Sequence, residues 1–128
     1  RIKGEYVLTA NDLIQGVMPD DKIANAHYSF DVWGMKIPEE MKHIGPYGIP
    51  YRCLVPLNTE GLLTAGRIVS ATRVAHRSLR VQPICSNIGM AAGTAAAMSA
   101  LQKTGLRSID IKDLQGRLIR MGLFEGIK

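Results

Sequence analysis

Residues 62–97 read LLTAGRIVSATRVAHRSLRVQPICSNIGMAAGTAAA, and this stretch decides the fold. Residues 62–65 are apolar enough for a short buried strand, which would end at Gly66 and Arg67. Glycine at the carboxyl end of a strand lets backbone approach a ligand, because no Cβ stands in the way. In open α/β sheets, ligands bind just beyond the carboxyl ends of the strands. The stretch therefore predicts an α/β fold with a candidate ligand site at Gly66, although a glycine here also suits an ordinary turn.

The second part of the stretch predicts a helix over residues 86–102, because alanine and methionine dominate it and Gly105 is placed to end it. Gly89, Gly93 and Ala97 recur every four residues, so they share one nearly flat face. Such a face packs closely against a sheet or a planar ring, and close packing without a ligand is the simpler interpretation. The apolar run is too short for a bilayer-spanning helix of about 20 residues, so no membrane span is predicted.

The start of this helix is a predicted site for negative charge, because its N–H groups and its dipole are directed there. His76, Arg77 and Arg80 come shortly before it in the chain. Arg80 suits a carboxylate substrate, a cofactor or a structural ion pair, because guanidinium geometry favours such partners. His76 is a candidate catalytic proton donor or substrate anchor, and a surface histidine is the alternative.

Two helix starts carry capping signals. Thr9, followed three residues later by Asp12, predicts a short helix that ends near Gly16. Asp110 would cap a final helix that Gly122 ends. The apolar positions that recur at helical spacing in this final helix are Ile111, Leu114, Leu118 and Met121.

The remaining elements are predicted to be short. Residues 6–8 and 51–55 have the composition of strands, and residues 27–33 alternate as a strand does. A second short helix is predicted over residues 20–26. Proline and glycine make residues 34–50 a predicted surface loop, and loops of this length in compact domains are usually functional or mobile.

Composition is that of a globular protein, with 46% hydrophobic and 21% charged residues among 128. The net charge is +5, but the basic residues are spread along the chain and aromatics are few, so no nucleic-acid partner is predicted. An anionic cofactor or substrate suits the charge. Cys53 and Cys85 lack metal-ligand spacing, so two buried thiols and no metal site are predicted.

The runs AGRIVSAT and AHRSLRVQPICSNIGMAAGTAAA resemble the C-terminal signature of the FAD-dependent oxidoreductase family. The resemblance extends upstream through EYVLTANDLIQG, DVWG and IPYRCLVP, and downstream through IDIKDLQGRLIRMG. It implies part of an FAD-binding, Rossmann-like α/β domain, in which short strands pack on the Gly/Ala-rich helix. Residues 1–50 would be a remnant of a substrate or cap region, and residues 51–128 the C-terminal part of the FAD-binding domain. Trp33 stands where the family usually has histidine, so a substrate role for that histidine does not carry over.

By this resemblance, Gly66 and Arg67 would approach the ribityl and phosphate region of FAD, with the helix beneath the isoalloxazine ring. A helix start near the ring would stabilise the negative charge that a reduced flavin carries near N1. The full set of predicted cofactor-binding residues is Gly66, Arg67, Ser70, Pro83, Ile84, Cys85, Gly89, Ala91, Ala92 and Gly93. The predicted catalytic residues are His76 and Arg80.

The chain has no Gly-x-Gly-x-x-Gly turn for a pyrophosphate, so it lacks half of a flavin site. Three hypotheses follow. The chain is the C-terminal part of an FAD-dependent oxidoreductase with a small-molecule substrate, and binds FAD weakly or not at all by itself. Alternatively, it is an inactive folding module that needs a nucleotide-binding half as its partner. In the third hypothesis it is an interaction protein that self-associates through exposed apolar surface.

Overall fold

The computed structural model describes residues 2–30, 38–39 and 42–123. Four helices and two strands lie in these ranges, together with 3₁₀ turns. In chain order they are α1 (Ala10–Ile14), β1 (Lys22–Ala26), β2 (Tyr47–Pro50), the 3₁₀ turns Tyr51–Cys53 and Gly66–Ile68, α2 (His76–Leu79), α3 (Gln82–Gln102), the 3₁₀ turn Leu106–Ser108, and α4 (Ile111–Arg120).

The longest element is α3, which confirms the predicted helix but begins four residues earlier, at Gln82. Pro83 lies in its first turn, where proline is tolerated because the first N–H groups of a helix have no partner within it. Ile88, Ala91 and Ala95 are fully buried on the face that packs against β1, α4 and the Gly66–Ile68 turn. This helix therefore organises the core of the chain.

The length and composition of α3 are also sufficient for a helix that crosses a membrane, which corrects the prediction that no apolar run is long enough. Water-soluble proteins contain core helices that pass the same test. Here 33% of the most apolar window is buried within the fold. Much of the surface of α3 is thus left uncovered by the described residues.

The end of α3 differs from the prediction. Lys103, not Gly105, ends the helix, in a left-handed conformation with φ 53°. Gly105 instead precedes the 3₁₀ turn Leu106–Ser108 with a φ of −68°. Ser99 accepts the backbone N–H groups of Lys103 and Thr104, and its hydroxyl donates to the Thr104 carbonyl at 2.5 Å. These bonds close the helix without the expected glycine.

Because a left-handed residue with a Cβ is strained, Lys103→Gly is expected to raise the free energy of unfolding by about 1 kcal/mol. Urea unfolding followed by circular dichroism measures this. Thr104→Gly is the control, since Thr104 does not have a positive φ, and it should not stabilise the chain. A loss of stability in Lys103→Gly would show that the lysine side chain contributes more than its backbone conformation costs.

The sheet has two antiparallel strands, β1 and β2. Lys22 lies opposite Pro50 and Ala26 opposite Tyr47, with an irregularity between Lys22 and Ala24. The predicted helix over residues 20–26 is therefore wrong, and so is the extension of the predicted loop to residue 50. Pairing between distant segments outweighs local propensity in both places, since four residues of β1 and all four of β2 are buried.

Other predicted strands are replaced by turns. Residues 51–53 form a 3₁₀ turn in which Tyr51 N–H donates to Asp21 O at 2.8 Å. Residues 62–65 form no ladder, although Thr64 donates its N–H and its hydroxyl to Leu54 O. Residues 6–8 contribute one parallel bridge, from Leu8 to Ala71. Residues 27–30 are not in a strand, and the rest of the predicted strand over 27–33 lies outside the described residues.

Both predicted caps are confirmed. Thr9 and Asp12 form a reciprocal capping box at the start of α1, with Thr9 N–H donating to Asp12 Oδ2 at 2.8 Å. Asp110 accepts the N–H groups of Lys112 and Asp113 at the start of α4. Short-range signals of this kind depend on residues three positions apart, so they can be read from the sequence.

The described residues therefore form a mixed arrangement of helices and a two-stranded sheet, consistent with a fragment of an α/β domain. One core cluster takes residues from both sides of position 50, from Leu8 to Leu118. The division at residue 50 into a cap remnant and a flavin-binding part stays a prediction.

Candidate functional site

The predicted glycine turn lies against the start of α3. Gly66 has a φ of +62°, a backbone conformation that residues other than glycine rarely adopt. A Cβ added at Gly66 would lie 3.9 Å from the Cβ of Cys85, which is in the first turn of α3. Ala65 arrives in an extended conformation, so the chain turns sharply at Gly66. The strand expected before this turn is absent, and the predicted approach of Gly66 to a ligand stays a prediction.

A basic pocket adjoins this turn. The pocket is open, has a volume of about 420 Å³, and is lined by Arg67, Arg73, His76 and Arg80. Three of these residues were predicted to belong to the site. Residues from a turn, from a connecting segment and from α2 thus meet in space. Three guanidinium groups are among the described residues of the lining, which makes this part of the surface basic.

Hydrogen bonds hold the backbone of this pocket in place. Arg67 Nε donates to Arg80 O at 3.4 Å, which ties the glycine turn to the end of α2. His76 Nε2 lies 2.9 Å from Val69 O, so the imidazole is also held to the segment after the turn. Thr72 Oγ1 accepts Ala75 N–H at 3.3 Å and orients the start of α2. The arginine side chains therefore project from a fixed frame.

The start of α3 faces the same region through Cys85. Pro83 is exposed, Cys85 is half-buried and Ile84 is buried in the core. The N–H groups of Gln82 and Ile84 belong to the first turn, where N–H groups have no carbonyl acceptor within the helix. Cys85 N–H is the first to close the helix, donating to Val81 O at 3.0 Å. The first turn thus supplies donors and a positive dipole end beside Gly66.

One face of α3 carries small side chains and is exposed. Nothing lies within 4 Å of a Cβ added at Gly89 or at Gly93. The exposed small residues that share this face are Gly89, Gly93, Ala96, Ala97 and Ala100. The flat face is therefore present, but the described strands of this chain do not pack on it. They pack on the opposite face.

Ala91 and Ala92 lie on that opposite, buried side. Ala91 is fully buried and Ala92 nearly so, within the core that α3 shares with β1. Because a helix turns by 100° per residue, the run from Gly89 to Gly93 points in several directions and does not form one surface. The structure thus separates the two glycines from the two alanines, and a cofactor role for Ala91 and Ala92 stays a prediction.

Ser70 lies apart from the basic pocket. Its hydroxyl is buried and has no hydrogen-bond partner among the described residues. Its Cβ would lie 2.9 Å from a Cβ added at Gly4, so the N-terminal segment packs tightly beside it. Ser70 lines a different cavity, of about 290 Å³, together with Lys3 and Thr72 among others. Buried hydroxyl groups usually have a hydrogen-bond partner, so the Ser70 hydroxyl is an exception.

The two cysteines are free thiols. Burial raises the pKa of the Cys53 thiol to about 12, so this group stays protonated at neutral pH and serves packing. Cys85 lies with its Sγ 3.5 Å from Leu79 O. Within the described ranges, no group of three histidine, cysteine or acidic residues is placed to hold a metal ion.

Arg73 lines the pocket but is not among the predicted site residues. It lies three residues before His76, farther from the start of α3 than the predicted residues His76 and Arg80. Arg73, His76 and Arg80 are spaced by three and four residues, which predicts that they lie on the same side of a helical segment.

In a comparison with known protein families, the family model described as FAD dependent oxidoreductase matches residues 1–118. These residues include the whole basic pocket and the whole of α3. No curated protein and no solved structure matches the chain.

Proposed function

The chain belongs to the FAD-dependent oxidoreductase family, and we propose that it supplies the isoalloxazine and ribityl side of a flavin site. The observation that carries the proposal is the contact between the Gly66 turn and the first turn of α3. Backbone without a Cβ and the positive end of a helix dipole meet there, and both suit an anionic, planar cofactor. The part that binds the pyrophosphate would lie in another segment of the intact protein.

The residues near this contact fit FAD chemically. Gly66 leaves room for close approach, and Arg67 offers a cation beside it. The first turn of α3, where Pro83 and Cys85 lie, supplies the N–H groups of Gln82 and Ile84 and a positive dipole end. Flavin would supply the chemistry of hydride or electron transfer when bound. The chain would contribute position and electrostatics: the helix start would favour negative charge, and His76 and Arg80 would contact the substrate.

The exposed small-residue face of α3 is an argument for a partner that packs on this helix. Each glycine in a helix costs about 1 kcal/mol relative to alanine, yet a Cβ added at Gly89 or Gly93 would meet nothing within 4 Å among the described residues. We propose that the nucleotide-binding half of the enzyme packs on this face, with FAD held between the two parts. The alternative is a module without activity that self-associates through the same face, since Leu101 there is 82% exposed.

Flavin binding tests the proposal, with Gly66→Ala as the variant. FAD is titrated into the chain, alone and combined with a nucleotide-binding half, and flavin absorbance and fluorescence are followed. We expect flavin to bind more tightly in the combined form, and Gly66→Ala to weaken binding about tenfold or more, because its Cβ enters the space left for close approach.

Gly61→Ala is the matched control. Gly61 also has a positive φ, +71°, and an added Cβ there meets nothing within 4 Å. Both variants should lose about 1 kcal/mol of stability from backbone strain, but Gly61→Ala should leave flavin affinity unchanged. Failure of both the chain and the combined form to bind flavin would contradict the proposed cofactor site.

A further inference from the structure

We propose that Tyr47 and Ser78 are positioning residues, whose buried hydrogen bond holds α2 and, through α2, the Gly66 turn of the proposed flavin site. Neither residue is among the described residues that line the basic pocket. The inference rests on the proposed function to this extent: the Gly66 turn matters for activity only if a flavin lies against it. The hydrogen bonds themselves can be tested without flavin.

The hydroxyl groups of Tyr47 and Ser78 form a chain within the core. Both residues are fully buried, and Tyr47 Oη lies 2.6 Å from Ser78 Oγ. Ser78 Oγ donates its one proton to the Tyr28 carbonyl, so the Tyr47 hydroxyl is the donor in the other bond. Burial raises the pKa of Tyr47 to about 12, so this hydroxyl keeps its proton at neutral pH. The Ser78 hydroxyl thus joins α2 to β2 and to the segment that follows β1.

Local propensity does not account for the position of α2. This helix has four residues, and a helix of one turn is unstable by itself because its nucleus is costly. Serine is not among the strong helix formers, and its hydroxyl is costly to bury unless it has hydrogen-bond partners. Ser78 has two such partners, from different parts of the chain. Its side chain therefore fixes the turn of α2 within the core.

Helix geometry places Ser78 behind two predicted site residues. Since a helix turns by about 100° per residue, His76 and Arg80 lie on one side of α2 and Ser78 on the opposite side. On the first side, His76 Nε2 lies 2.9 Å from Val69 O, and Arg67 Nε donates to Arg80 O at 3.4 Å. A shift of α2 within the core would therefore move both of these contacts.

The Gly66 turn is connected to α2 through the same two contacts. Arg67 and Val69 belong to the segment that begins at Gly66, which would lie against the cofactor. A displacement of about 1 Å in groups that position a reactant lowers its effectiveness on the order of a hundredfold. Loss of the Tyr47 hydroxyl is expected to move the turn through α2 without removing a group that touches flavin.

The experiment compares Tyr47→Phe with Tyr51→Phe, since each removes one buried tyrosine hydroxyl. Tyr51 Oη donates to Leu106 O at 2.8 Å, and neither of these residues lines the basic pocket. Both variants should therefore lower the thermal midpoint by a similar few degrees. FAD is titrated into the full chain combined with a nucleotide-binding half. We expect Tyr47→Phe to weaken flavin binding about tenfold and Tyr51→Phe to weaken it less than about twofold.

A second measurement needs no flavin. ¹H–¹⁵N NMR spectra of the full chain report on the His76 ring and on the backbone amides of residues 66–70. We expect Tyr47→Phe to shift these signals and Tyr51→Phe to leave them in place. Ser78→Ala removes both bonds of the serine hydroxyl and should shift the same signals. In the Ser78→Ala background, Tyr47→Phe should change flavin affinity less than about twofold further, because the two residues act through one bond.

Equal weakening of flavin binding by the two tyrosine variants would overturn the proposal, and so would unchanged His76 and 66–70 signals in Tyr47→Phe. Additive effects of Tyr47→Phe and Ser78→Ala on affinity would also overturn it. Thermal unfolding checks each variant, and Ser78→Ala takes the place of Tyr47→Phe if the latter does not fold. Absence of flavin binding by the unsubstituted combined form would count against the cofactor site, and the NMR comparison alone would then decide whether Tyr47 and Ser78 position the turn.

Discussion

Gln115→Met is expected to lower the free energy of unfolding by about 2 to 3 kcal/mol, because it removes two hydrogen bonds, one of them to a buried carbonyl. Gln115 is buried in α4, and its Nε2 donates to Asp20 O at 2.8 Å and to Lys22 O at 2.9 Å. These bonds attach the last helix to the start of β1. Methionine keeps the length and apolar packing of the side chain, so the change isolates the polar contacts.

The position of Lys22 in the sheet explains why this contact matters. Lys22 lies opposite Pro50, and the bond between the strands at this point runs from Tyr51 N–H to Asp21 O. The amide of Gln115 donates to the Lys22 carbonyl from α4. Loss of this donor in a buried place would be costly, whereas Asp20 is an exposed residue.

Urea unfolding followed by circular dichroism measures the effect, with Gln102→Met as the control. Gln102 is exposed and makes one long bond, 3.4 Å from its Nε2 to Asp113 Oδ2. Its replacement should change the free energy of unfolding by less than about 0.5 kcal/mol. Equal effects of the two substitutions would contradict a special role for Gln115 in joining α4 to the sheet.

Local signals made the helices predictable. The capping box of Thr9 and Asp12, the cap at Asp110 and the alanine-rich run of α3 depend on neighbours within one turn, and all three elements are present. The predicted start of α3 is four residues too late, although Pro83 marks the first turn. Proline is favoured in the first turn of a helix, so the sequence contains this signal.

Strand pairing could not be predicted in the same way. The sequence KIANA of β1 has no alternation, because residues on both of its faces are buried between β2 and the helices. Its identity as a strand depends on residues 47–50, more than twenty positions away. Residues 51–53 have the composition of a strand but form a 3₁₀ turn. The first residue of this turn, Tyr51, donates its N–H to Asp21 O, which lies far away in the sequence.

The candidate site was predictable to the extent that residues close in sequence stay close in space. Arg67, His76 and Arg80 are predicted site residues, and they line one pocket because α2 folds back onto the Gly66 turn. Ser70 is predicted to belong to the same site, but it lies beside Gly4 and lines a different cavity. Residues 89 to 93 are predicted as one segment, although the helix directs the glycines outward and Ala91 into the core.

The exposed glycines of α3 allow a test of the proposal that a partner packs on this helix. Gly89→Ala and Gly93→Ala are each expected to raise the free energy of unfolding of the isolated chain by up to about 1 kcal/mol, since alanine is the better helix former. Nothing in the described chain contacts a Cβ at either position. If the glycines existed for the internal packing of the chain, the same substitutions would lower its stability.

Leucine at both Gly89 and Gly93 is expected to weaken assembly with the proposed partner. A bulky side chain on the small-residue face would prevent a nucleotide-binding half from approaching α3, so we expect its affinity, and flavin retention with it, to fall about a hundredfold or more. Titration of that half into the chain, followed by flavin fluorescence and light scattering, measures both quantities. Unchanged assembly in the double leucine variant would show that the partner does not use this face.

Gly116→Ala is the control that separates helix propensity from the face itself. Gly116 is an interior glycine of α4, and an added Cβ there meets only the end of the Arg120 side chain, at 3.6 Å. It should gain about the same stability as Gly89→Ala and leave assembly unchanged. Glycines that weaken an isolated helix yet are required for assembly would mean that the stability of α3 is completed by what packs on it, and therefore that this chain reaches its working state only with its partner bound.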